Sequence, residues 1–192
     1  MKIAIMADVH DNFNNLVGAL NIAKRKKVKQ IIFLGDFCCN GIAKLLAAFD
    51  IPVHAIWGNN DGAKGSIMKT SLSKGSNLSV KNNIYDVVEF NGRKIFISHY
   101  HDIVKSMAKS GDFDAIFYGH DHNINKEMIG KCLVLNPGEI SGHKNAKVGF
   151  AIYDTKTNDA ETICIPFPVV VKTRKVDLYV KKYGVKFRDD KF

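Results

Sequence analysis

The sequence predicts an α/β fold, on three observations. Strand-length apolar runs alternate with helix-like stretches through the first half, the pattern of crossover units on a parallel sheet. The second half adds a hairpin signal and further runs that read as antiparallel strands. The length, 192 residues, fits one domain of about 100–200 residues with a sizeable core.

Taken in order, residues 2–7 read as a buried strand. Residues 12–27 then place Phe13, Leu16, Val17, Leu20, Ile22 and Ala23 at near-helical spacing, with basic residues in the last turn where they favour the helix dipole. Asn12 stands where a cap is expected. Residues 30–34 form a second strand, 41–49 a short helix and 53–57 a third strand. The stretch 62–77 is rich in Gly, Ser and Lys with weak periodicity and reads as a surface loop. Residues 84–90 and 93–98 flank Asn91-Gly92 as a hairpin. A short helix capped by Asp102 spans 102–110, and a strand covers 115–118. Residues 126–135, 148–153 and 161–165 read as antiparallel strands, and Asn136-Pro137-Gly138 as a turn.

The apolar strands end in polar groups able to bind metal: Asp8-Val9-His10, Gly35-Asp36, Gly58-Asn59-Asn60-Asp61, Ser98-His99 and Gly119-His120-Asp121-His122. In an open α/β sheet such ends meet in a crevice where ligands bind. One such cluster is most simply a turn, since Asn and Asp bond their own backbone; five at one edge call for another account. Residues i and i+2 of an extended segment face one side, so Asp8 with His10, and His120 with His122, each aim two donors at one point. Glycine before Asp36, Asn59 and His120 lets the backbone approach an ion. Carboxylate, amide oxygen and imidazole without thiolate suit manganese, iron, nickel, cobalt or zinc.

This ordered set, D-x-H, G-D, G-N-x-D, a strand-end His and G-H-x-H, resembles the calcineurin-like metallophosphoesterases. The short chain without an added cap looks most like the YfcE-type phosphodiesterase subfamily. The resemblance implies a four-layer αββα sandwich of two mixed sheets flanked by helices. It also implies two divalent ions, manganese foremost: Asp8, His10 and His122 hold one, Asn59, His99 and His120 the other, and Asp36 bridges them. Two such ions over two carboxylates attract a phosphate anion, and a hydroxide shared between them attacks phosphorus in line. Small phosphodiesters or activated phosphate esters are the implied substrates.

Two positions depart from the pattern. Asn60 stands where many relatives carry a His that protonates the leaving oxygen, and an amide cannot do so. General acid catalysis contributes about 10²–10⁴-fold, so esters with poor leaving groups should turn over slowly. Asp61 then orients its neighbours or the backbone. Tyr100 replaces a frequent Gly and should narrow or roof the pocket. With Asn12 and Asn60 it is a candidate substrate contact, Asn12 because helix N-termini attract anions. His99 is preferred over His101 as ligand because it directly follows the apolar run 95–97. His54 reads as a packed core residue and His143 as a loop residue outside the site. Cys38 and Cys39, adjacent and thus poorly arranged to grip one metal, read as packing and rim residues.

The chain carries 46% hydrophobic and 24% charged residues with a net charge of +9. Residues 172–192 hold eight Lys or Arg against three Asp, so much of the excess lies in the tail. The boundaries expected are a metallophosphoesterase domain over 1–168 and a basic extension over 169–192. In the extension Val176, Leu178 and Val180 alternate with polar residues as an amphipathic hairpin, packed on the domain or at a contact between copies. The first apolar run is too short for a signal peptide, and none reaches the roughly 20 residues of a membrane span. A cytoplasmic, non-membrane protein with reduced cysteines is expected. Two other functions compete: a non-catalytic, metal-containing interaction scaffold similar to the retromer subunit, against which the full ligand set argues, and a nuclease, supported only by net charge.

Overall fold

The computed structural model describes residues 1–144 and 147–165, so the expected extension over 169–192 lies outside the described residues. Strands β1 (Lys2–Met6), β2 (Gln30–Phe33), β3 (Val53–Ala55) and β4 (Leu78–Val80) run parallel, and β10 (Gly149–Asp154) and β11 (Asp159–Cys164) extend the sheet antiparallel. Their order is β11-β10-β1-β2-β3-β4. The second sheet orders β5 (Tyr85–Phe90), β6 (Arg93–Ser98), β7 (Ala115–Phe117), β9 (Cys132–Pro137) and β8 (Ile124–Ile129) as β5-β6-β7-β9-β8. Its three central strands are parallel. Both sheets are therefore mixed.

Side-chain alternation sorts the layers. From β1, Ala4 and Met6 join a core with α1 (Phe13–Arg25), α2 (Asn40–Ala48) and α3 (Lys64–Ser71). Ile3 and Ile5 face the other way and pack between the sheets against Ile95, Ile97, Phe117, Leu133 and Leu135. A smaller core under α4 (Val104–Lys109) covers the second sheet with Phe96, Ile116 and Val134. The result is helices, sheet, sheet, helix. A strand buried on both faces needs the near-continuous apolar run that β1 shows.

Four local expectations are corrected. The loop predicted over 62–77 contains α3, a helix that buries little beyond Ile67 and so carries almost no apolar period. Packing beside α2 holds it, with Thr70 donating to the Asn40 side chain at 2.8 Å. Asp102 does not cap α4; Ile103 occupies that position and makes no side-chain cap bond. Asn136 and Pro137 belong to the end of β9, so the predicted turn is confined to its tip, where Gly138 (φ 80°) donates its N–H to Asn136 Oδ1 at 2.9 Å. His54 is half-buried, not packed in the core, and its Nε2 lies 2.9 Å from Asp86 Oδ2, joining β3 to β5 of the other sheet.

Candidate metal centre

The C-terminal ends of β1, β2, β3, β6 and β7 converge, as the polar clusters suggested. The backbone there is unusual: Asp8, His10, Asp36, Cys38, His120 and His122 all have φ between 42° and 73°. Left-handed backbone is several-fold enriched in Asp, Asn and His. The residue types able to bind a cation are thus also those that tolerate the bend. Extended i, i+2 geometry is therefore not what aims these side chains; tight left-handed turns do so. One consequence is that His120 and His122, which i, i+2 spacing alone would aim at one point, go to separate clusters.

In the first cluster His10 Nε2 lies 3.3 Å from His122 Nε2 and 3.3 Å from Asp36 Oδ2. Asp8 Oδ1 is 3.7 Å from His122 Nε2 and 4.0 Å from His10 Nε2. In the second, Asn59 Oδ1 lies 2.8 Å from both His99 Nε2 and His120 Nδ1. Asp36 Oδ2 approaches His99 Nε2 to 3.8 Å, which places this oxygen between the clusters. His101 is half exposed, stacked outside His120 and 3.5 Å from Asp102, so His99 is the histidine brought inward.

Acceptors face acceptors here. His99 donates from Nδ1 to the Leu34 carbonyl at 2.7 Å, leaving the Nε2 lone pair to face the Asn59 oxygen. His122 donates from Nδ1 to Glu139 Oε2 at 2.8 Å, turning its Nε2 lone pair toward Asp8 and His10. Burial pushes the His99 and His10 imidazoles below their ordinary value, so each favours its neutral form, in which one ring nitrogen keeps a lone pair. Among the described residues, Asp8 Oδ1 is the buried side-chain oxygen that lacks any hydrogen-bond partner. Burial first, and then the Asp36 charge, push the Asp8 carboxyl up to about 8. Such an arrangement is costly without a cation and fits divalent ions well. Asp8, His10 and His122, and likewise Asp8, Asp36 and His99, bring donor atoms within 4.8 Å of one another.

A calcineurin-like phosphoesterase superfamily domain matches residues 1–158. The chain belongs to this family. A relative named phosphodiesterase MJ0936, from Methanocaldococcus jannaschii, is 33% identical over 86% of this chain and 99% of its own length. The solved structure of a novel archaeal phosphodiesterase superposes with a TM-score of 0.78 at 30% identity, over 86% of this chain and 100% of that one. The Escherichia coli phosphoesterase YfcE shares the fold, with a TM-score of 0.65 at 17% identity over 90% and 97%.

Close approach explains the glycines of this phosphoesterase. A Cβ on Gly58 would lie 2.2 Å from Asp36 Oδ1, and one on Gly119 would lie 2.9 Å from Asp8 Oδ2. Asp61 is buried beneath the loops. Its oxygens accept from the backbone N–H groups of Gly58 at 2.7 Å, Cys38 at 2.9 Å and Asp36 at 3.1 Å, and desolvation still raises its pKa. Asn60 donates to Asp36 twice, from its backbone at 2.8 Å and its side chain at 2.9 Å. Tyr100 packs its ring edge-on against His99 and His120. Asn12 caps α1, accepting from Asn15 N–H at 3.1 Å, and donates to the Ser141 carbonyl.

Sequence reasoning missed three residues. Glu139 is fully buried behind His122. Asn136 donates to Asp121 Oδ1 at 2.7 Å and pins the loop that carries His120 and His122. His143, read as outside the site, lies with its ring centre 5.6 Å from that of His10. With His10, Asp11, Asn12, Phe13 and Asn14 it lines a pocket of about 370 Å³. A polar residue just after a buried strand was the one available signal, and Asn136-Pro137-Gly138 masked it as a turn. Cys38 places Sγ 3.6 Å from His10 Nδ1, and burial pushes its thiol up to about 12. Among the described residues, no helix is long and apolar enough to cross a membrane.

Proposed function

We propose that this phosphoesterase is a divalent-metal-dependent phosphodiesterase acting on small diesters or activated phosphate esters at a two-metal centre. The convergence of carboxylate oxygens, the Asn59 oxygen and imidazole nitrogens on two points that share Asp36 Oδ2, with Asp8 Oδ1 buried and without a hydrogen-bond partner, carries the reading. Asp8, His10 and His122 would hold one ion, Asn59, His99 and His120 the other, and Asp36 both. Bound there, divalent ions supply an acidified water and positive charge for the phosphoryl group. Mixed oxygen and imidazole donors suit manganese, iron, nickel, cobalt or zinc, with manganese the metal the family resemblance puts first, and Cys38 Sγ lies against His10 Nδ1 rather than the Nε2 that faces Asp8 and Asp36.

The chain's own residues prepare the site. Asp61 seats three backbone N–H groups and so sets the height of the Asp36 and Asn59 loops. Asn60 holds both Asp36 oxygens in place. Its amide donates no proton as an acid, so the leaving oxygen must depart as a stable anion, which favours aryl over alkyl esters. Tyr100 walls the second cluster, and Asn12 stands at the lip of the pocket beside His10. The naming of a relative as a phosphodiesterase supports the diester.

The deciding experiment compares hydrolysis of a chromogenic aryl diester and its monoester by metal-stripped protein, before and after manganese is added. Manganese-dependent cleavage favouring the diester is expected. Cleavage of neither, with manganese demonstrably bound, overturns the reading and promotes the interaction-scaffold alternative.

A further inference from the structure

Glu139 lies outside the donor clusters, yet its carboxylate collects an unusual number of donors. Oε2 accepts from His122 Nδ1 at 2.8 Å, from the Ser141 hydroxyl and from the His143 backbone N–H at 3.0 Å. Oε1 accepts from the Lys144 backbone N–H at 2.8 Å. The same residue anchors the strand beside it, its carbonyl accepting from Gly149 N–H at 2.9 Å. Glu139 and His122 are both buried, at 0% and 4% exposed, so water does not substitute for these bonds.

Two consequences follow from elementary chemistry. A carboxylate accepts, so His122 must carry its neutral-state proton on Nδ1, and its Nε2 lone pair must face Asp8 Oδ1 and His10. The bonds to residues 141, 143 and 144 also seat the segment that places His143 beside His10 in the lining of the pocket that Asn12 and Asn14 share. Outer carboxylates of this kind orient imidazole ligands and raise their basicity, and losing them weakens metal binding about 10–100-fold.

We propose that Glu139 is a positioning residue which fixes His122 as the Nδ1–H tautomer and seats the 141–144 segment, so that one carboxylate aligns a metal ligand and the His143 wall of the substrate pocket together. The metal half of this inference rests on the proposed function; the tautomer half does not. Glu139→Ala removes both actions. Glu139→Gln keeps an oxygen able to accept from His122 but turns an NH₂ toward a backbone N–H of the segment.

The test uses metal-stripped full-length wild type and both variants, with circular dichroism to establish folding. Side-chain ¹⁵N–¹H correlation spectra of the histidines report the tautomer, and a manganese titration reports affinity. Expected are a single Nδ1–H form of His122 in wild type and in Glu139→Gln, a tautomer mixture in Glu139→Ala, and manganese binding about 10–100-fold weaker in Glu139→Ala. Replacing a charge-assisted bond by a neutral one roughly halves its strength, so Glu139→Gln should bind manganese about 3–10-fold more weakly. The KM for the aryl diester should rise in the glutamine variant, through its displaced segment, more than kcat falls.

An unchanged His122 tautomer with unchanged manganese affinity in Glu139→Ala overturns the proposal. Should the alanine protein not fold, wild-type affinity and wild-type KM in Glu139→Gln overturn it equally. A wild type that binds no manganese yet shows the Nδ1–H form, lost in Glu139→Ala, refutes the metal reading and sustains the positioning role.

Discussion

Removing divalent metal should make stability fall as pH rises from 6.5 to 8, and Asp8 sets the size of the effect. Its carboxyl sits near 8 in the folded chain against 3.8 ordinarily, raised first by burial and then by the charge of Asp36. The folded state therefore holds a proton that the unfolded state has released, and stability declines with pH throughout that window. His10 and His99 act oppositely: their lowered values favour the folded state as pH climbs toward 6.5, above which they are neutral in both states. The interval from 6.5 to 8 isolates the carboxyl. At about 1.4 kcal/mol per pH unit the loss is about 2 kcal/mol, or about 4–8 °C in Tm for a domain of this size. Thermal unfolding of chelator-treated protein at the two pH values measures it. Asp8→Asn, uncharged at every pH, should abolish the slope. Manganese should reverse it, because a metal ion binds the ionised carboxylate and displaces the proton. A metal-free Tm that stays level or rises over this interval refutes the assignment of Asp8 as a buried carboxyl awaiting a cation.

Gly58→Ala should lose hydrolysis and about 1–3 kcal/mol of stability, because the new methyl would sit against Asp36 Oδ1 and its backbone nitrogen; chemical denaturation and a diester assay check this, and near-wild-type values in both would contradict so close an approach of the two loops. Asp61→Ala leaves the buried N–H groups of Asp36 and Gly58, and the half-buried one of Cys38, without their acceptor, the buried pair costing about 1–3 kcal/mol each, and should lower the urea midpoint and the manganese affinity together; loss of one without the other would separate Asp61 from the ligand loops. Asn60→His should raise the ratio of alkyl to aryl ester hydrolysis by supplying a proton to the leaving oxygen, by up to about 10²-fold. An unchanged ratio, measured with matched diesters at saturating manganese, removes the missing acid as the cause of slow alkyl turnover.

Much of the fold could be read because β1, β2 and the crossover helix between them obey simple periods. Ile3 and Ile5 face the second sheet, Ala4 and Met6 the helices, and both sets must be apolar. The helix α3 could not be read, since only Ile67 of its residues is buried and the rest of KGSIMKTS meets solvent on most sides. Its stability comes from a neighbour rather than from its own pattern. At the site, the polar strand ends of β1, β2, β3, β6 and β7 announced themselves by breaking an apolar run, and the structure gathers them at one edge. Their mode of convergence was not legible, because left-handed backbone at Asp8, His10, His120 and His122 depends on the turns around them. Glu139 and Asn136 were illegible for another reason: the site residues they hold, His122 and Asp121, lie 17 and 15 residues earlier, and a lone carboxylate after Pro137-Gly138 looks like any loop residue.

The two donor clusters draw on both sheets: Asp8, Asp36 and Asn59 leave the first, whereas His99, His120 and His122 leave the second. Contacts across the centre join positions as far as 112 residues apart, such as Asp8 with His120. An ion held there is a cross-link between the halves of the chain, with the thermodynamic character of a staple that closes a long loop. On the proposed assignment, a nascent chain that has emerged only as far as Asp61 would own three of the four donors of the first set, Asp8, His10 and Asp36, but only two of the second, Asn59 and Asp36. The second set, which lacks His99 and His120 until the second sheet docks, would fill last, so that loading of both positions would register completed folding.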